Sequence, residues 1–221
     1  MYSVKMYRLG ENMVKLGNTK AIYQRLPIYL NYLNAILKDG QESISATKIA
    51  TALSLGEVQV RKDLCLISGA GKPKVGYNTF ELVSHLKNYL GLQEEINAVL
   101  VGAGKLGNAL LGYEGFKDYN IKLLAGFDVN PSNAEKRETN VYPISRLCEF
   151  CLENDVKIGI ITVPTLYAQE VCDKLLSCNI KAIWNFAPVL LKCPESVLVK
   201  NENMASSLAM LSVELKNRYD K

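Results

Sequence analysis

The stretch Ala98-Val-Leu-Val-Gly-Ala-Gly-Lys-Leu-Gly107 joins a short apolar run to a glycine-rich turn. The apolar run is typical of a buried strand, and Leu106, Leu110 and Leu111 have the spacing of a helix face. A Gly-x-Gly-x-x-Gly pattern alone is weak evidence, but a strand before it and a helix after it are the start of a dinucleotide-binding βαβ unit. The stretch therefore predicts an α/β domain with a phosphate-binding turn.

Each glycine of this turn has its own expected role. Gly102 allows the tight turn after the strand, Gly104 lets backbone amides approach a pyrophosphate, and Gly107 lets the helix pack on the strand. The amino end of the helix adds partial positive charge beside the phosphates. The residues assigned to the turn of the predicted cofactor site are Gly102, Ala103, Gly104, Lys105, Leu106 and Gly107.

A second predicted strand, Ile121 to Phe127, ends in Asp128, about 20 residues after the glycine-rich turn. A carboxylate at this position accepts hydrogen bonds from the adenosine ribose and repels a 2′-phosphate. The pattern therefore favours NAD(H) over NADP(H). Lys136 and Arg137 lie close in sequence and keep NADP(H) open as the alternative.

Strands and helices continue to alternate along the rest of the chain. The pattern predicts helix 145–153, strand 156–163, helix 166–177, strand 180–184 and a short strand 197–199. Repeated βα units imply a parallel, doubly wound sheet whose ligand lies across the carboxyl ends of the strands. Thr162-Val163-Pro164 and Asn185-Phe-Ala-Pro188 lie at such ends, so we expect them to face the ligand. The alternative is that these two segments only form turns.

The two halves of the chain differ in charge. The net charge of all 221 residues is +4, but residues 1–92 carry 12 Lys and Arg against 6 Asp and Glu, whereas residues 93–221 carry 14 against 16. A basic half attached to a near-neutral half is typical of a nucleic-acid-binding unit joined to a unit with another function.

A helix–turn–helix pattern follows a first amphipathic helix in the basic half. The apolar face of the first helix extends over residues 22–37, and Asp39-Gly40 ends it with turn chemistry. Ser45 is the predicted N-cap of a short helix, Leu55-Gly56 breaks the chain, and a second helix begins near Glu57. Helix, turn with glycine and helix in this order predict a DNA-binding head.

The second helix has the composition of a recognition helix. Val60, Leu64 and Ile67 form its predicted inward face. The residues expected on or near its outer surface are Gln59, Arg61, Lys62 and Asp63. Cations suit phosphates, and forked or amide side chains suit base edges in the major groove. We therefore predict that Ser45, Gln59, Arg61 and Lys62 contact DNA.

The segment Gly69-Ala-Gly-Lys-Pro-Lys-Val-Gly-Tyr77 is a predicted β-wing. Its glycines and proline favour a turn, and Lys72 and Lys74 have the charge to approach a narrow, electronegative minor groove. Lys72, Lys74, Gly76 and Tyr77 complete the predicted DNA-binding set. The alternative is a solvated helical hairpin followed by a lysine-bearing loop.

The remaining segments set the domain organisation. Asn78 with Glu81 has the form of a capping box for a helix that ends at Gly91, and the polar residues 93–97 are the predicted boundary. The predicted domains are an N-terminal extension 1–20, a winged helix 21–91, a Rossmann NAD(H)-binding domain 92–200 and a C-terminal dimerisation helix 201–221. The last helix has a narrow apolar stripe through Leu208 and Leu211, which favours packing on a partner subunit or on the other domain.

Composition excludes several classes of protein. Hydrophobic content of 48% and charged content of 22% are those of an ordinary soluble protein, and no run of about 18 apolar residues is present for a membrane span. The first twenty residues lack the apolar core of a signal peptide, so we expect a cytoplasmic protein with six reduced cysteines that serve as small hydrophobes. Cys148-Glu-Phe-Cys151 lies within a predicted helix without a second ligand pair, so no metal site is expected.

Taken together, the motifs resemble those of the Rex family of redox-sensing bacterial transcriptional repressors, from about Ala21 to Tyr219. The matching strings are Arg25-Leu-Pro27, Val58-Gln-Val-Arg-Lys-Asp-Leu64, Gly71-Lys-Pro73, Val75-Gly-Tyr77, Val101-Gly-Ala-Gly104, Leu106-Gly107, Phe127-Asp-Val129, Thr162-Val-Pro164, Ala168-Gln169 and Asn185-Phe-Ala-Pro-Val189. The resemblance implies a homodimer with winged-helix heads, NADH-binding Rossmann domains and exchanged C-terminal helices, which releases double-stranded operator DNA when NADH is high.

The resemblance also implies roles for single residues. Tyr113 matches a tyrosine that lies near the nicotinamide in the family. Asn31 and Asn203 stand where family members carry Arg and Asp, a pair that is thought to couple cofactor state to head position. A Rex-like repressor with weakened or lost nucleotide sensing is therefore the first alternative.

An NAD-dependent dehydrogenase is the second alternative, because the Rossmann fold is shared. Hydride-transfer enzymes usually present an acid–base residue beside the nicotinamide. The single histidine, His85, lies outside the predicted Rossmann domain. We therefore expect no catalytic residues and no enzymatic activity.

Overall fold

Residues 19–131 and 140–219 are described by the computed structural model. The first 18 residues of the predicted N-terminal extension, and Lys136 and Arg137, lie outside the described residues. The chain divides into two units after Glu94. We call the described residues up to Glu94 unit 1 and those from Glu95 onward unit 2.

Unit 1 contains four helices and a two-stranded sheet. The helices are α1 (Thr19–Lys38), α2 (Ala46–Ala52), α3 (Glu57–Ser68) and α4 (Thr79–Tyr89), and the strands are β1 (Ser43–Ile44) and β2 (Tyr77–Asn78). Strand β1 pairs antiparallel with β2. This pairing holds the segment between α3 and α4 as a wing. The predicted winged helix–turn–helix is confirmed.

Polar caps define the helix starts of unit 1. The Ser45 side chain accepts a hydrogen bond from the Lys48 amide at 3.1 Å, and the Asn78 side chain accepts one from the Glu81 amide at 2.9 Å. Each bond satisfies a backbone donor that the first turn of a helix leaves unpaired. Both N-caps were predicted from the sequence, and both are confirmed.

Unit 2 is built around a six-stranded parallel sheet. Its strands are β3 (Ile96–Val101), β4 (Ile121–Asp128), β5 (Val141–Pro143), β6 (Ile158–Ile161), β7 (Ala182–Asn185) and β8 (Leu198–Asn201). Their order is β5-β4-β3-β6-β7-β8, and every neighbouring pair is parallel. The chain moves from β3 to one edge, then returns to β6 and continues to the other edge. This doubly wound topology confirms the predicted Rossmann-type class.

Unit 2 contains four helices, of which the last forms the C-terminal segment. They are α5 (Lys105–Leu111), α6 (Leu147–Glu153), α7 (Thr165–Ser177) and α8 (Met204–Tyr219). Two short 3-10 helices, Glu114–Tyr119 and Ile144–Arg146, precede β4 and α6. The larger core cluster includes Val99, Phe127 and Ile161 from the sheet, and Leu147 and Leu175 from α6 and α7.

Several strand boundaries differ from the sequence predictions. Strand β3 begins at Ile96, within the predicted polar boundary, because the Asn97 side chain donates to the Asn154 carbonyl at 2.7 Å and so satisfies its polar group inside the unit. Strand β5 was not predicted, since three residues carry no detectable alternation. Strand β6 covers only residues 158–161 of the predicted 156–163, because pairing with β3 ends where Gly102 turns.

Two cysteines correct the expectation of six reduced, buried thiols. Cys148 of α6 and Cys178, which follows α7, form a disulfide. Cys65 is exposed, while Cys151 and Cys172 are buried as expected of small hydrophobes. The prediction was wrong for the first pair because the packing of α6 on α7 brings together residues that are 30 positions apart.

Helix α8 is exposed along its whole length within this chain. Its apolar residues include Leu208, Leu211 and Leu215, which are 58–68% exposed. Apolar stripes of this kind normally pack on another surface. In the part of the chain that the structure describes, no helix is long and apolar enough to cross a membrane.

Candidate DNA-binding and dinucleotide sites

A groove of about 490 Å³ in unit 1 collects most of the predicted DNA-binding residues. Its lining includes Ser45, Arg61, Lys72, Lys74, Gly76 and Tyr77. The groove therefore lies between the start of α2, the outer face of α3 and the wing. The structure brings these residues together although they are separated by up to 32 positions in the sequence.

Gly76 holds the wing close to β1. Its φ is +87°, and a Cβ atom there would lie 2.3 Å from the Ile44 carbonyl oxygen. A side chain would therefore push β2 away from β1 and shift the wing lysines. The contribution of Gly76 to the site is its small size and backbone conformation, rather than a polar group.

The cations of the groove are free to meet phosphates. Lys72 and Lys74 are exposed, and Arg61 is 65% exposed while it pairs with Glu57 one turn earlier in α3. Lys62 is exposed as well but is not part of the groove lining. Exposed ion pairs of this type contribute little to stability and exchange partners readily. Arg61 can therefore leave Glu57 for a base edge or a phosphate.

Asp63 was predicted to lie on or near the outer surface of α3, and this is wrong. Its side chain is only 4% exposed, because three side chains donate hydrogen bonds to it. Oδ2 accepts from Arg25 Nε at 2.7 Å and from Tyr29 Oη at 2.8 Å. Oδ1 accepts from Arg25 Nη2 at 2.9 Å and from Gln59 Nε2 at 2.8 Å. This set of four residues is called the Asp63 network below.

The Asp63 network shifts the proton affinity of its members. Burial alone would raise the pKa of Asp63, but hydrogen bonds from Arg25, Tyr29 and Gln59 lower it below its usual range. Burial, followed by the hydrogen bond to Asp63, raises the pKa of Tyr29. At neutral pH the network therefore contains a charged carboxylate, a charged guanidinium and a neutral phenol.

In unit 2, the first and third glycines of the glycine-rich turn pack so closely against neighbouring atoms that neither position has room for a Cβ atom. Gly102 has a φ of +105°, and a Cβ atom there would lie 2.8 Å from the Thr162 carbonyl carbon. A Cβ atom on Gly107 would lie 1.9 Å from the Gly102 carbonyl oxygen. Gly102 is thus required for the turn to approach the segment that follows β6, and Gly107 is required for α5 to approach the turn.

Gly104 differs from these two glycines because no atom lies within 4 Å of the position that its Cβ would occupy. It is the N-cap of α5, and the first backbone N–H groups of a helix have no partner within the helix. Lys105 beside it is exposed, and Leu106 is half-buried. Open space at a helix N-terminus is suited to a phosphate group.

Asp128 lies at the end of β4, next to the glycine-rich turn. Its Oδ2 accepts a hydrogen bond from the Ala103 amide at 2.7 Å, and its Oδ1 accepts one from the Asn130 amide at 2.8 Å. The carboxylate is half-buried and is therefore fixed in direction by two backbone donors. Each carboxylate oxygen can accept a further hydrogen bond, as a ribose diol would require.

The crevice between β3 and β6 is the switch point of the sheet, where ligands of open α/β sheets bind. Thr162 Oγ1 lies 2.7 Å from the Gly102 carbonyl oxygen and 3.1 Å from the Val101 carbonyl oxygen, which ties the end of β6 to the turn. Val163 is half-buried and Pro164 is exposed at the mouth of the crevice. The structure therefore groups Gly102, Gly104, Asp128 and the Thr162 segment.

Asn185 is fully buried, and its side chain is used within the protein. The amide Nδ2 lies within 3.1 Å of the Ala187 and Val189 carbonyl oxygens, and Oδ1 accepts from the Ala187 amide at 3.0 Å. The role of Asn185 is to shape its own loop. Pro188 of the same loop is exposed and remains a predicted ligand contact.

Comparisons with known proteins cover both units. The family described as "Putative DNA-binding protein N-terminus" matches residues 19–65, and the one described as "CoA binding domain" matches residues 93–189. The redox-sensing transcriptional repressor Rex of Porphyromonas gingivalis is 40% identical over 88% of this chain and 90% of its own length. The Rex of Clostridium perfringens is 36% identical over 93% of this chain and 98% of its own length.

The chain belongs to the Rex family.

Solved structures of a Rex-family repressor called RSP show the same fold. RSP in complex with β-NAD⁺ and operator DNA has a TM-score of 0.80 and 33% identity, and covers 94% of this chain and 95% of its own. RSP in complex with β-NADH has a TM-score of 0.76 and covers 94% and 97%. RSP has thus been solved with both operator DNA and a dinucleotide.

The structure places each of the three residues that the Rex family resemblance singled out. Tyr113 follows the C-terminal end of α5, where its ring packs edge-on against Phe116 with centroids 5.1 Å apart. Asn31 is exposed on α1. Asn203 precedes α8, and its Oδ1 accepts a hydrogen bond from the Ser206 amide at 3.0 Å, which makes it a helix cap.

Sequence reasoning missed two side chains that organise these sites. Arg25 was noted only as part of a family string, although it provides half of the hydrogen bonds to Asp63. Asn108 was not noted, although its Nδ2 donates to the Ala103 carbonyl at 2.7 Å and so fixes the glycine-rich turn. The four-residue spacing of Arg25 and Tyr29 on α1 was the available signal for the first.

Proposed function

We propose that the chain is an NADH/NAD⁺-responsive transcriptional repressor that binds operator DNA through unit 1 and releases it when NADH is high. It acts in the cytoplasm and has no catalytic activity. The observation that carries the proposal is the presence, in one chain, of a basic groove at a helix–turn–helix and an open glycine-rich turn at the switch point of a parallel sheet.

The DNA half of the proposal rests on the arrangement of cations around the groove. Arg61 of α3 lines the groove together with Lys72 and Lys74 of the wing, so a duplex can meet both elements at once. Lys62, exposed beside Arg61 on α3, is the fourth proposed cation. Cations on the helix suit the major groove, and cations on the wing suit the adjacent minor groove. Ser45, Gln59, Gly76 and Tyr77 complete the proposed DNA-binding set.

The cofactor half of the proposal rests on unit 2. The open space at Gly104 takes the pyrophosphate, and the Asp128 carboxylate accepts from the adenosine ribose. Thr162, Val163, Pro164 and Pro188 are the proposed contacts along the crevice, and Tyr113 is the proposed contact of the nicotinamide. A bound dinucleotide supplies the chain with a redox-dependent ligand, and no residue of the chain needs to transfer a proton or hydride.

A homodimer provides the link between the two sites. The exposed apolar stripe of α8 is suited to packing on a second copy of the chain. NADH then favours one dimer arrangement over another, and in that arrangement the two recognition helices no longer match the spacing of the operator half-sites. The release of DNA is thus a shift of population driven by the differential affinity of NADH.

The test is a mobility-shift titration of the protein on the upstream region of its own gene, with NADH and NAD⁺ added separately. We expect a discrete complex that dissociates with NADH at a concentration at which NAD⁺ has no effect. A complex that is indifferent to both nucleotides, while the protein binds NADH, would support the repressor with lost sensing. Oxidation of NADH with 2-oxo acids, followed by absorbance, would instead support a dehydrogenase.

A further inference from the structure

Gln59 is the exposed member of the Asp63 network on α3, beside the groove rather than in its lining, to which α3 contributes Arg61 and Cys65. It is the third residue of that helix, and residues near the start of a recognition helix are those that reach base edges. A glutamine amide has a donor end and an acceptor end, so the base that it reads depends on which end points outward. The direction of the Gln59 amide therefore determines which bases Gln59 can bind.

Asp63 fixes that direction. An ionised carboxylate only accepts hydrogen bonds, so the amino end of the Gln59 amide must face Asp63 Oδ1, at 2.8 Å. The carbonyl oxygen Oε1 then points away from the network. Among the described residues, Oε1 accepts no hydrogen bond.

Helix α1 keeps the carboxylate in place. Arg25 binds both of its oxygens in a bidentate fork, which fixes the plane of the Asp63 side chain. Tyr29 is fully buried and adds a third donor from the same helix. Asp63 therefore has no freedom to turn when DNA approaches, and its remaining acceptor position holds Gln59.

We propose that Asp63 is a positioning residue that holds Gln59 with its carbonyl oxygen outward, so that Gln59 selects adenine or cytosine at one position of each half-site. These two bases carry an exocyclic amino group in the major groove, whereas guanine and thymine present oxygen acceptors there. The inference rests on the proposed function, because it requires α3 to lie in the major groove.

Substitution of Asp63 by Asn replaces one of the two acceptor oxygens of the network with a donor amino group. With its oxygen kept at the Oδ2 position for Arg25 Nε and Tyr29, the Asn amide turns its amino group toward Gln59. The same amino group also faces Arg25 Nη2, which loses its acceptor and must turn to solvent. The Gln59 amide then rotates to accept from it and presents its own amino group outward. The structure thus predicts a change of base preference, which a loss of stability alone does not produce.

The experiment is selection of bound sequences from a random duplex library by the full-length protein and three variants: Asp63→Asn, Gln59→Met and the double variant. We expect the wild type to enrich adenine or cytosine at one position per half-site. Asp63→Asn should shift that position toward guanine or thymine by about tenfold in the ratio of bases, which is the scale of one base contact. Gln59→Met should lose the preference there, and adding Asp63→Asn should change it no further.

The outcomes separate the inference from the proposed function. Asp63→Asn with uniformly weaker binding and unchanged base preference would show that Asp63 only stabilises unit 1, and would overturn the inference. If Asp63→Asn does not fold, Gln59→Met still decides, because an unchanged preference at every position overturns the inference. A wild type that enriches no sequence would overturn the proposed function together with it.

Discussion

The two candidate sites are built in opposite ways. In unit 1, side chains from distant segments fix one another, and the buried Asp63 carboxylate is held by Arg25 and Tyr29 from another helix. In unit 2, the glycine-rich turn is fixed by the absence of side chains, since a Cβ on Gly102 or Gly107 would collide with backbone atoms. One site therefore depends on a charge network, and the other depends on close backbone contact.

This difference determines which kind of substitution destabilises each site. A buried ion pair is costly to break from one side, because the remaining charge stays in a poorly solvated place. A close backbone contact is costly to fill, because the added atom displaces a strand or a helix. Substitutions that remove atoms should damage unit 1, and substitutions that add atoms should damage unit 2.

The largest expected effect is that of Arg25→Met, which leaves the Asp63 carboxylate without its bidentate partner. We expect the free energy of unfolding of unit 1 to fall by about 3 kcal/mol. The single tryptophan, Trp184, lies in unit 2, so urea unfolding followed by Trp184 fluorescence should be unchanged while the transition by circular dichroism moves to lower urea.

The matched control is Arg61→Met, which breaks the exposed ion pair between Arg61 and Glu57 within α3. It should change the free energy of unfolding by about 0.5 kcal/mol or less while it weakens DNA binding. Equal losses of stability in the two variants would contradict the special role of the buried network.

The next effect is expected for Gly107→Ala in unit 2. The added Cβ would lie 1.9 Å from the Gly102 carbonyl oxygen, so the turn must open. We expect the free energy of unfolding of unit 2 to fall by about 2 kcal/mol and NADH binding to be lost. Trp184 fluorescence in urea and NADH titration measure the two effects.

Gly104→Val is the matched variant, because the space beside Gly104 is open. It should leave the stability of unit 2 nearly unchanged, block the pyrophosphate and give a protein that binds DNA but ignores NADH. NADH binding by Gly104→Val at wild-type affinity would place the nucleotide elsewhere.

How far the sequence predicts each site follows from the same difference. The glycine-rich turn was predicted correctly because its pattern is local: Gly102, Gly104 and Gly107 impose the backbone within six residues. The burial of Asp63 was not predicted, because it depends on Arg25 and Tyr29, which are 38 and 34 positions away. A charged residue in a helix is usually solvated, and only tertiary partners reverse that expectation.

Dependence on tertiary contacts also explains why strand β5 and the disulfide were not predicted. Strand β5 has three residues, and its existence depends on pairing with β4 rather than on its own pattern. The disulfide between Cys148 and Cys178 depends on how α6 and α7 pack. The helices of unit 1 and the order of the βα units were predictable, since apolar periodicity and capping residues act within a few residues.

A smaller effect is expected from restoring charge at Asn31 and Asn203. The Rex resemblance implies an Arg and an Asp at these positions, and the two amides of this chain carry no charge with which to form such an ion pair. Asn31→Arg combined with Asn203→Asp should enlarge the effect of NADH on DNA affinity by about tenfold, which corresponds to about 1.4 kcal/mol of coupling.

The single variants are the controls for this pair. Each leaves an unpaired charge and should not enlarge the NADH effect, while Asp at position 203 caps α8 as well as Asn does. Fluorescence anisotropy across an NADH series measures the response. A wild-type response as large as that of the double variant would contradict the prediction.

The smallest effects are expected from the wing lysines. Lys72→Ala and Lys74→Ala should each reduce the slope of log K against log salt by about 0.9, the value for one phosphate contact. Lys122→Ala should leave the slope unchanged, because this exposed lysine belongs to unit 2, pairs with Glu95 and is not part of the groove lining. Equal slopes in all four proteins would remove the wing from the DNA site.

We expect the side-chain site of unit 1 and the backbone site of unit 2 to be coupled through their two ligands. Coupling between two ligands is reciprocal, so operator DNA must weaken NADH binding by the same factor by which NADH weakens DNA binding. The direct test is the Kd of NADH measured by its fluorescence, with and without saturating operator duplex. We predict that the Kd of NADH rises with the operator and does not change with a scrambled duplex. An identical Kd in all three conditions would show that the two sites are not coupled.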